Sequence, residues 1–322
     1  MTSKFSSYFQ QTKRTYSFAR ESFALAQGKT EIKKLLPYVA SATVASMISR
    51  RSYNFISLIW GLFRYVTQSE RRRFSREGQR LASRGQLGPI ALELRNLAAF
   101  RSYVKFWIEA LVALVNDQAR IDLDLTIAGA DAVTDWLSTG KGAIIATAHL
   151  GNPDWAGYAI SSHIRTLTAI FAPLKPPIFE KWLLHFRTMR GMESIMLTDG
   201  SVARNVIEAI NAGKLVAMAC DFDIAGTALG VEFFSKVVPI ASGPATISLR
   251  TKTPIFPGAC FMTPEHGHFA KFLEPIFPSQ AEGDTISEKI LHLTQLVATA
   301  LEGAIEAAPE QWHVVVPIPI EG

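Results

Sequence analysis

The side chains best arranged for acid–base chemistry are a histidine and an aspartate five residues apart, His149 and Asp154. They sit in the stretch from Ala143 to Trp155, where an apolar run ends at His149 and passes through Gly151, Asn152 and Pro153. Asn152 is a good helix N-cap, Pro153 suits the first helical position, and Asp154 favours the positive end of a new helix. The histidine is therefore expected at the carboxyl end of a parallel strand, where α/β folds build their sites. A turn through Gly151 would let Asp154 accept a hydrogen bond from one imidazole nitrogen. The other nitrogen would face a cleft and take a proton from an alcohol, while the carboxylate holds the tautomer and steadies the imidazolium. The spacing alone is weak, since a histidine satisfied by a helix N-terminus produces the same pattern. No Gly-x-Ser-x-Gly elbow is present to form a covalent acyl-enzyme.

Other groups have functional and ordinary readings side by side. Asp221 and Asp223 directly follow an apolar run and could hold a metal, although a capped loop with two surface acids is commoner. Arg187 and Arg190 lie three apart on a helix and share a face, suited to a phosphate or a carrier-protein acid, or simply solvated. Glu232 is either a contact of His149 from the opposite side or a salt-bridged edge residue. His266 and His268 flank a glycine without a nearby third ligand, which favours a hairpin turn over a metal. His163, His185, His292 and His313 have no partner at informative spacing. Lys141-Gly142 after Thr139-Gly140 lacks the full phosphate-loop spacing. Cys220 and Cys260, the two cysteines, exclude a disulfide framework and a Cys-rich zinc site, and fit a reducing compartment. No resident metal or bound organic cofactor is expected.

These groups must be held by a change of rhythm near residue 120. Residues 1–118 read as helical, with apolar positions at three- and four-residue steps such as Leu94, Leu97, Ala98, Tyr103, Phe106 and Leu111. Short strand-like runs follow at 124–127, 143–147, 166–171, 215–220 and 254–261. Helical segments fall at 132–137, 153–164, 178–190, 202–212, 244–250 and 286–307, and 263–272 reads as a hairpin turning at His266-Gly267. This alternation predicts an α/β body over 119–322 with a mainly parallel sheet flanked by helices, continuous with the helical region at 1–118.

Charge divides the chain in the same way. Residues 1–90 carry 16 Lys and Arg against four acids, net +12, and the remainder is net −7. Anionic lipid gives about 1 kcal/mol per Lys or Arg near its surface. Large apolar side chains interleave with the basic ones, as in Leu58-Ile59-Trp60, which favours lipid over nucleic acid. Arg71, Arg72, Arg73, Arg76 and Arg80 form either a solvated helix face or a site for anionic lipid or an acidic carrier protein. No stretch reaches the roughly 18–20 apolar residues of a membrane span, and the first 30 residues are too polar for a signal peptide. The helices around 35–63 are either buried core or a pair in the interface plane, with Trp60, Phe63 and Tyr65 near the headgroups, and one can pack inward while the other faces out.

The segment His149-Leu150-Gly151-Asn152-Pro153-Asp154 resembles the signature of the bacterial lipid A late acyltransferase family, which includes the phosphatidylinositol mannoside acyltransferases. Further blocks are similar in order: Phe171-Ala172-Pro173 with Trp182 to Arg187 and Arg190-Gly191; Gly200-Ser201 with Arg204; Asp221-Phe222-Asp223; Gly230 to Phe234; Ala241 to Ala245; Leu249 to Ile255; and Pro309-Glu310-Gln311-Trp312. The likeness covers roughly 120–318. It departs from the family pattern at Pro153, Ala172, Phe222 and Ser235. The resemblance implies transfer of a fatty acyl group from coenzyme A or acyl carrier protein to a hydroxyl of a membrane glycolipid or phospholipid, at the cytoplasmic membrane face. His149 would be general base and Asp154 its orienter. Backbone N–H groups near Gly151 or Arg187 would meet the oxyanion, with Asn152, Arg190, Asp221, Asp223 and Glu232 as substrate-binding cleft residues. The alternative is a catalytically inactive lipid-binding scaffold of the same fold. A metal-dependent glycosyltransferase using Asp221 and Asp223 would leave the His149 segment without purpose.

Overall fold

The structure is a computed structural model that describes residues 2–116, 118–198, 200–223, 226–263 and 267–319. His266, expected in a hairpin turn, lies outside the described residues. Helices fill the N-terminal part: α1 (Thr2–Ala24), α2 (Lys29–Met47), α3 (Arg50–Thr67), α4 (Ser69–Ala82), α5 (Pro89–Val115) and the short α6 (Gln118–Leu123). The alternating part runs β1 (Leu125–Ala128), α7 (Ala130–Ser138), β2 (Ala143–Gly151), α8 (Pro153–His163), β3 (Leu167–Phe171), α9 (Pro177–Met189), β4 (Met192–Met196), α10 (Val202–Asn211) and β5 (Leu215–Ala219). It continues as β6 (Ala228–Phe233), β7 (Lys236–Ala241), α11 (Gly243–Thr251), β8 (Ile255–Met262), β9 (His268–Phe272) and α12 (Ile286–Ala307).

Seven strands form one sheet in the order β1-β9-β8-β2-β5-β3-β4. The pairs β2–β8, β2–β5, β3–β5 and β3–β4 are parallel, whereas β9 returns antiparallel along β8 and takes β1 with it. β2 has neighbours on both edges and layers on both faces, which is why it reads as a nearly continuous apolar run. Its side chains alternate between two cores. Ile144, Ala146, Ala148 and Leu150 pack on one side with α12 residues such as Leu293, Val297 and Leu301. Ala143 and Ile145 pack on the other with α8 and α9 residues such as Tyr158 and Trp182. By the two-residue period of a strand, His149 belongs to the second face.

Three strands lie outside the strand-like runs of the sequence. β4 is an edge strand whose run is interrupted by Glu193 and Ser194. β6 and β7 form a separate antiparallel hairpin, closed by Phe234 and Ser235, both at positive φ (53° and 59°). Such two-residue turns usually carry Asn-Gly or Asp-Gly, so a Phe-Ser turn gives no recognisable signal.

The N-terminal helices share the core of the sheet. Phe18, Leu35 and Val39 of α1 and α2 pack with Trp182 and Phe186 of α9, and the Trp182 indole donates to Ser22 Oγ at 2.8 Å. α3 is organised the other way round. Tyr53, Ser57 and Gly61 are buried, and a Cβ at Gly61 would stand 2.9 Å from the Arg101 Cα of α5. Phe55, Leu58, Ile59, Trp60, Leu62, Phe63 and Val66 point outward, Phe55 at 65% and Val66 at 63% exposure. Small residues inside and large apolar residues outside invert the usual pattern of a core-packed helix. Thus α2 packs inward and α3 faces out. Tyr65 is not with the outward group: its hydroxyl donates to Glu93 and its ring meets Phe100 edge-on at 5.6 Å. Among the described residues no helix is long and apolar enough to cross a membrane.

This inversion predicts opposite responses on the two faces of α3 in urea denaturation. Gly61→Val overpacks the α3–α5 contact and costs about 1–3 kcal/mol. Trp60→Ser, on the outer face, changes stability by no more than about 0.5 kcal/mol.

Candidate active site

β2 delivers His149 as expected, near its carboxyl end, and the chain turns at once into α8. The turn depends on Gly151, at φ +62°, where a Cβ would lie 1.9 Å from Cys260 O. That approach lets the Asn152 N–H donate to Cys260 O at 2.9 Å. Asn152 is fully buried; its Oδ1 accepts from the Trp155 N–H at 3.4 Å and its Nδ2 donates to Glu109 Oε2 at 3.3 Å. Glu109 also meets His268 Nε2 at 3.0 Å, and the His268 ring stacks on Trp155 at 4.3 Å. His268 therefore begins β9 as a buried residue of this network rather than sitting in a turn.

The carboxylate that meets the His149 ring is Asp221, not Asp154. Asp221 Oδ1 lies 2.8 Å from His149 Nδ1, and Oδ2 accepts from the His149 backbone N–H at 3.0 Å and from the Trp312 indole at 2.8 Å. Asp221 follows β5, which pairs directly with β2, so two neighbouring strand ends bring the groups together across 72 positions of sequence. Burial works against both ions. For Asp221 the adjacent imidazole and the Trp312 and backbone donors outweigh burial and keep its pKa below the ordinary value. For His149 the Asp221 charge and hydrogen bond outweigh burial and raise its pKa.

Asp154 points elsewhere. Its Oδ1 and Oδ2 accept from Arg187 Nη2 of α9 at 2.8 and 2.7 Å, and both residues are buried. Arg187 also lies over the Phe171 ring at 4.1 Å, and Asp154 raises its pKa against the opposing effect of burial. Two carboxylates expected in other roles have thus exchanged places: the imidazole partner is Asp221, and Asp154 forms an ion pair in the wall.

His149 is half-buried at a cavity of about 350 Å³. The strands provide small residues to one side of it, Thr147, Ala169 and Ala217, and Trp107, Phe171 and Leu174 are among the larger apolar walls. Ala217 stands between Ile145 and Ala169 in register, so the open space results from small side chains on adjacent central strands. Phe222, one of the departures from the family pattern, stacks on His149 at 5.1 Å and on Trp312 at 6.1 Å. It covers the dyad.

The remaining expected site residues disperse. Asp223 is exposed and its Oδ1 accepts from the Thr227 N–H at 3.0 Å, so Asp221 and Asp223 do not act as a pair. Glu232 is exposed on β6, where its backbone exchanges hydrogen bonds with Gln295, and it is not among the residues around the His149 cavity. Arg190 donates to Leu114 O at 3.4 Å and lines a separate groove with Arg14 and Glu21. Among the described residues the Trp312 and His313 side chains have no partner at a short sequence spacing. The Trp312 backbone forms a bridge to Leu150, and the Gln311 side-chain amide pairs with both backbone groups of Met262, at 2.8 and 2.9 Å. The only sequence signal for this tail was its place in an ordered run of similar blocks.

A twisted α/β sheet with a carboxylate-held histidine over an apolar cavity has the layout of a lipid-handling transferase. The model of the bacterial lipid A biosynthesis acyltransferases matches residues 97–317, and the chain belongs to that family of acyltransferases. It is similar to the phosphatidylinositol mannoside acyltransferase of Mycolicibacterium smegmatis, 25% identical over 222 residues covering 68% of this chain and 70% of the relative. It is likewise similar to phosphatidylinositol mannoside acyltransferase of Mycobacterium tuberculosis, 26% identical over 224 residues and 68% of each chain.

The Asp154–Arg187 pair predicts a specific coupling. Arg187→Met leaves a buried carboxylate unpaired and costs about 3–5 kcal/mol. Adding Asp154→Leu restores most of that loss, so a double-mutant cycle followed by urea denaturation gives a strongly favourable coupling between the two sites.

Proposed function

We propose that this protein transfers a fatty acyl group from a thioester, on coenzyme A or acyl carrier protein, to a hydroxyl of a membrane glycolipid or phospholipid. One observation carries the reading: a half-buried imidazole whose Nδ1 is held by a buried carboxylate, beside a largely apolar cavity of about 350 Å³. In this mechanism Asp221 accepts the Nδ1–H and leaves the Nε2 lone pair for the substrate. Nε2 removes the proton of the acceptor hydroxyl as the oxygen bonds to the thioester carbonyl carbon. The carbonyl electrons move onto oxygen, the carbon–sulfur bond then breaks, and the proton held by His149 goes to the leaving sulfur. The imidazolium formed in between is steadied by Asp221. Asp154 and Arg187 build the cavity wall that holds the donor in place. No resident metal or organic cofactor takes part in this scheme.

The acceptor favoured by the named relatives is a phosphatidylinositol mannoside, with lipid A-like glycolipids as the other member of the class. The scaffold alternative rests on the departures at Ala172 and Phe222, and the intact imidazole–carboxylate pair favours the enzyme over it. A glycosyltransferase using Asp221 and Asp223 is disfavoured by their separate engagements.

The outer face of α3 is the surface assigned to the bilayer in this reading. Its apolar row is flanked by Arg51 and by the exposed Arg71 and Arg73 of α4, complementary to anionic lipid on the cytoplasmic leaflet. The same basic residues suit the phosphates of coenzyme A or an acidic carrier protein. Arg64, in the last turn of α3, stacks over Tyr103, a cavity-wall residue, at 5.5 Å. Lipid bound at α3 would therefore stand close to the site.

Four outcomes are expected. His149→Ala abolishes transfer of labelled palmitate from palmitoyl-coenzyme A to a phosphatidylinositol mannoside in vesicles; equal transfer by wild type and variant refutes the general-base role. Asp221→Asn lowers kcat by about 10²–10⁴-fold. In wild type the active neutral imidazole appears as pH rises through a pKa above about 6.5. Asp221→Asn removes the charge that raises it while burial persists, so the acid limb of the kcat/KM profile moves to lower pH. Finally, Trp60→Ser with Phe63→Ser weakens sedimentation with phosphatidylglycerol vesicles by tenfold or more, since burying either side chain contributes about 1.5–3 kcal/mol.

A further inference from the structure

A second imidazole reaches the cavity. His313 is 6% exposed and lines both the large cavity beside His149 and a small cleft beside Arg64 and Arg71. Its backbone N–H donates to His149 O at 2.8 Å, which ties the two histidines together through the main chain. The rings of Tyr103 and Phe106 enclose it at 5.3 and 5.6 Å. Its Nε2 lies 2.9 Å from the Oγ of Ser102, a buried residue of α5.

The proton positions follow from hydrogen-bond satisfaction. If Ser102 accepted from an Nε2–H, its own hydroxyl hydrogen would have no acceptor in a dry setting, at a cost of about 1–3 kcal/mol. Ser102 therefore donates, Nε2 accepts, and the hydrogen of the neutral ring resides on Nδ1. Among the described residues Nδ1 has no hydrogen-bond partner, yet it is not one of the buried unpaired atoms, so it retains access to open space. Burial, and then the neighbouring His149, lower the His313 pKa to about 3 against the pull of Asp221. The ring is neutral wherever His149 can work as a base.

Several donors near the reacting centre are already engaged. The Asn152 N–H is bound to Cys260 O, the His149 N–H to Asp221, and Arg187 Nη2 to Asp154. We propose, resting on the acyl-transfer reading above, that His313 is a second catalytic imidazole whose Nδ1–H donates to the thioester carbonyl oxygen as negative charge collects there. It transfers no proton. The base proton shuttles from acceptor hydroxyl to His149 to sulfur, while His313 keeps its own and stabilises the tetrahedral intermediate. A neutral imidazole is a known electrophile toward carbonyl oxygen, and a fixed donor aimed at developing charge is worth most in a site shielded from water.

The test uses the full chain, labelled palmitoyl-coenzyme A and phosphatidylglycerol vesicles containing a phosphatidylinositol mannoside. His313→Leu is expected to lower kcat by about 10²–10³-fold, with the KM of donor and acceptor little changed. His313→Asn, which keeps an N–H donor near the Nδ1 position, recovers part of the rate. Ser102→Ala frees the tautomer and lowers kcat less than His313→Leu, which keeps the proposal testable if the leucine variant misfolds. Wild-type kcat in His313→Leu overturns the role, as does a loss confined to the acceptor KM. Wild-type rates in Ser102→Ala together with His313→Asn as impaired as His313→Leu also overturn it. No transfer by wild type defeats the acyl-transfer reading and this role together, an outcome distinct from equal turnover by wild type and variant.

Discussion

Asp221 is a carboxylate taken almost completely out of water, and the site is organised around making that tolerable. An isolated buried carboxylate costs several kcal/mol after relaxation, and a single partner rarely compensates for it. Here three donors converge, from the His149 backbone, the His149 ring and the Trp312 indole. They come from β2 and from the C-terminal tail, while Asp221 itself follows β5. Solvating this one charge requires two strand ends and a segment some 90 residues further on to be in register at once.

The tail is therefore structural and chemical together. Gln311 imitates a strand neighbour for Met262, Trp312 caps the buried acid and bridges Leu150, and His313 continues along the His149 backbone into the cavity. Phe222 adds a ring between His149 and Trp312, replacing water beside the dyad with an apolar surface. A low local dielectric strengthens the imidazole–carboxylate interaction, which is how a half-buried histidine remains basic despite its surroundings.

The second ion pair, Asp154 with Arg187, has a different character. It links the first turn of α8 to α9 across the cavity wall, and its geometry places both side chains beyond bulk solvent. Together with the Glu109–Asn152–His268 network it locks the segment just after His149 from behind. The floor of the cavity stays open because central strands carry Thr and Ala where larger residues would fill it. Rigid polar anchors on one side and small residues on the other keep the cavity open without loosening the sheet.

Much of this was legible in the chain before folding. The strand ending at His149, the Asn152 cap, Pro153 at the start of α8 and the alternation of strands with helices are local signals, written by periodicity and capping chemistry within a dozen residues. The basic, apolar-rich N-terminal third was equally plain, because charge and hydropathy need no coordinates. Which carboxylate would serve His149 was not, since five residues along the chain is no guide to a contact made between adjacent strands of a parallel sheet. Asp154 and Asp221 look alike in sequence, and only strand order decides that one turns toward Arg187 and the other toward the imidazole. The same holds for α3, whose apolar residues could equally have been core until packing buried Ser57 and Gly61 instead. His313 had no partner within reach in sequence, because Ser102 lies 211 positions away. Local chemistry is readable from neighbours in the chain, whereas a long-range pairing exists only once the sheet has set its register.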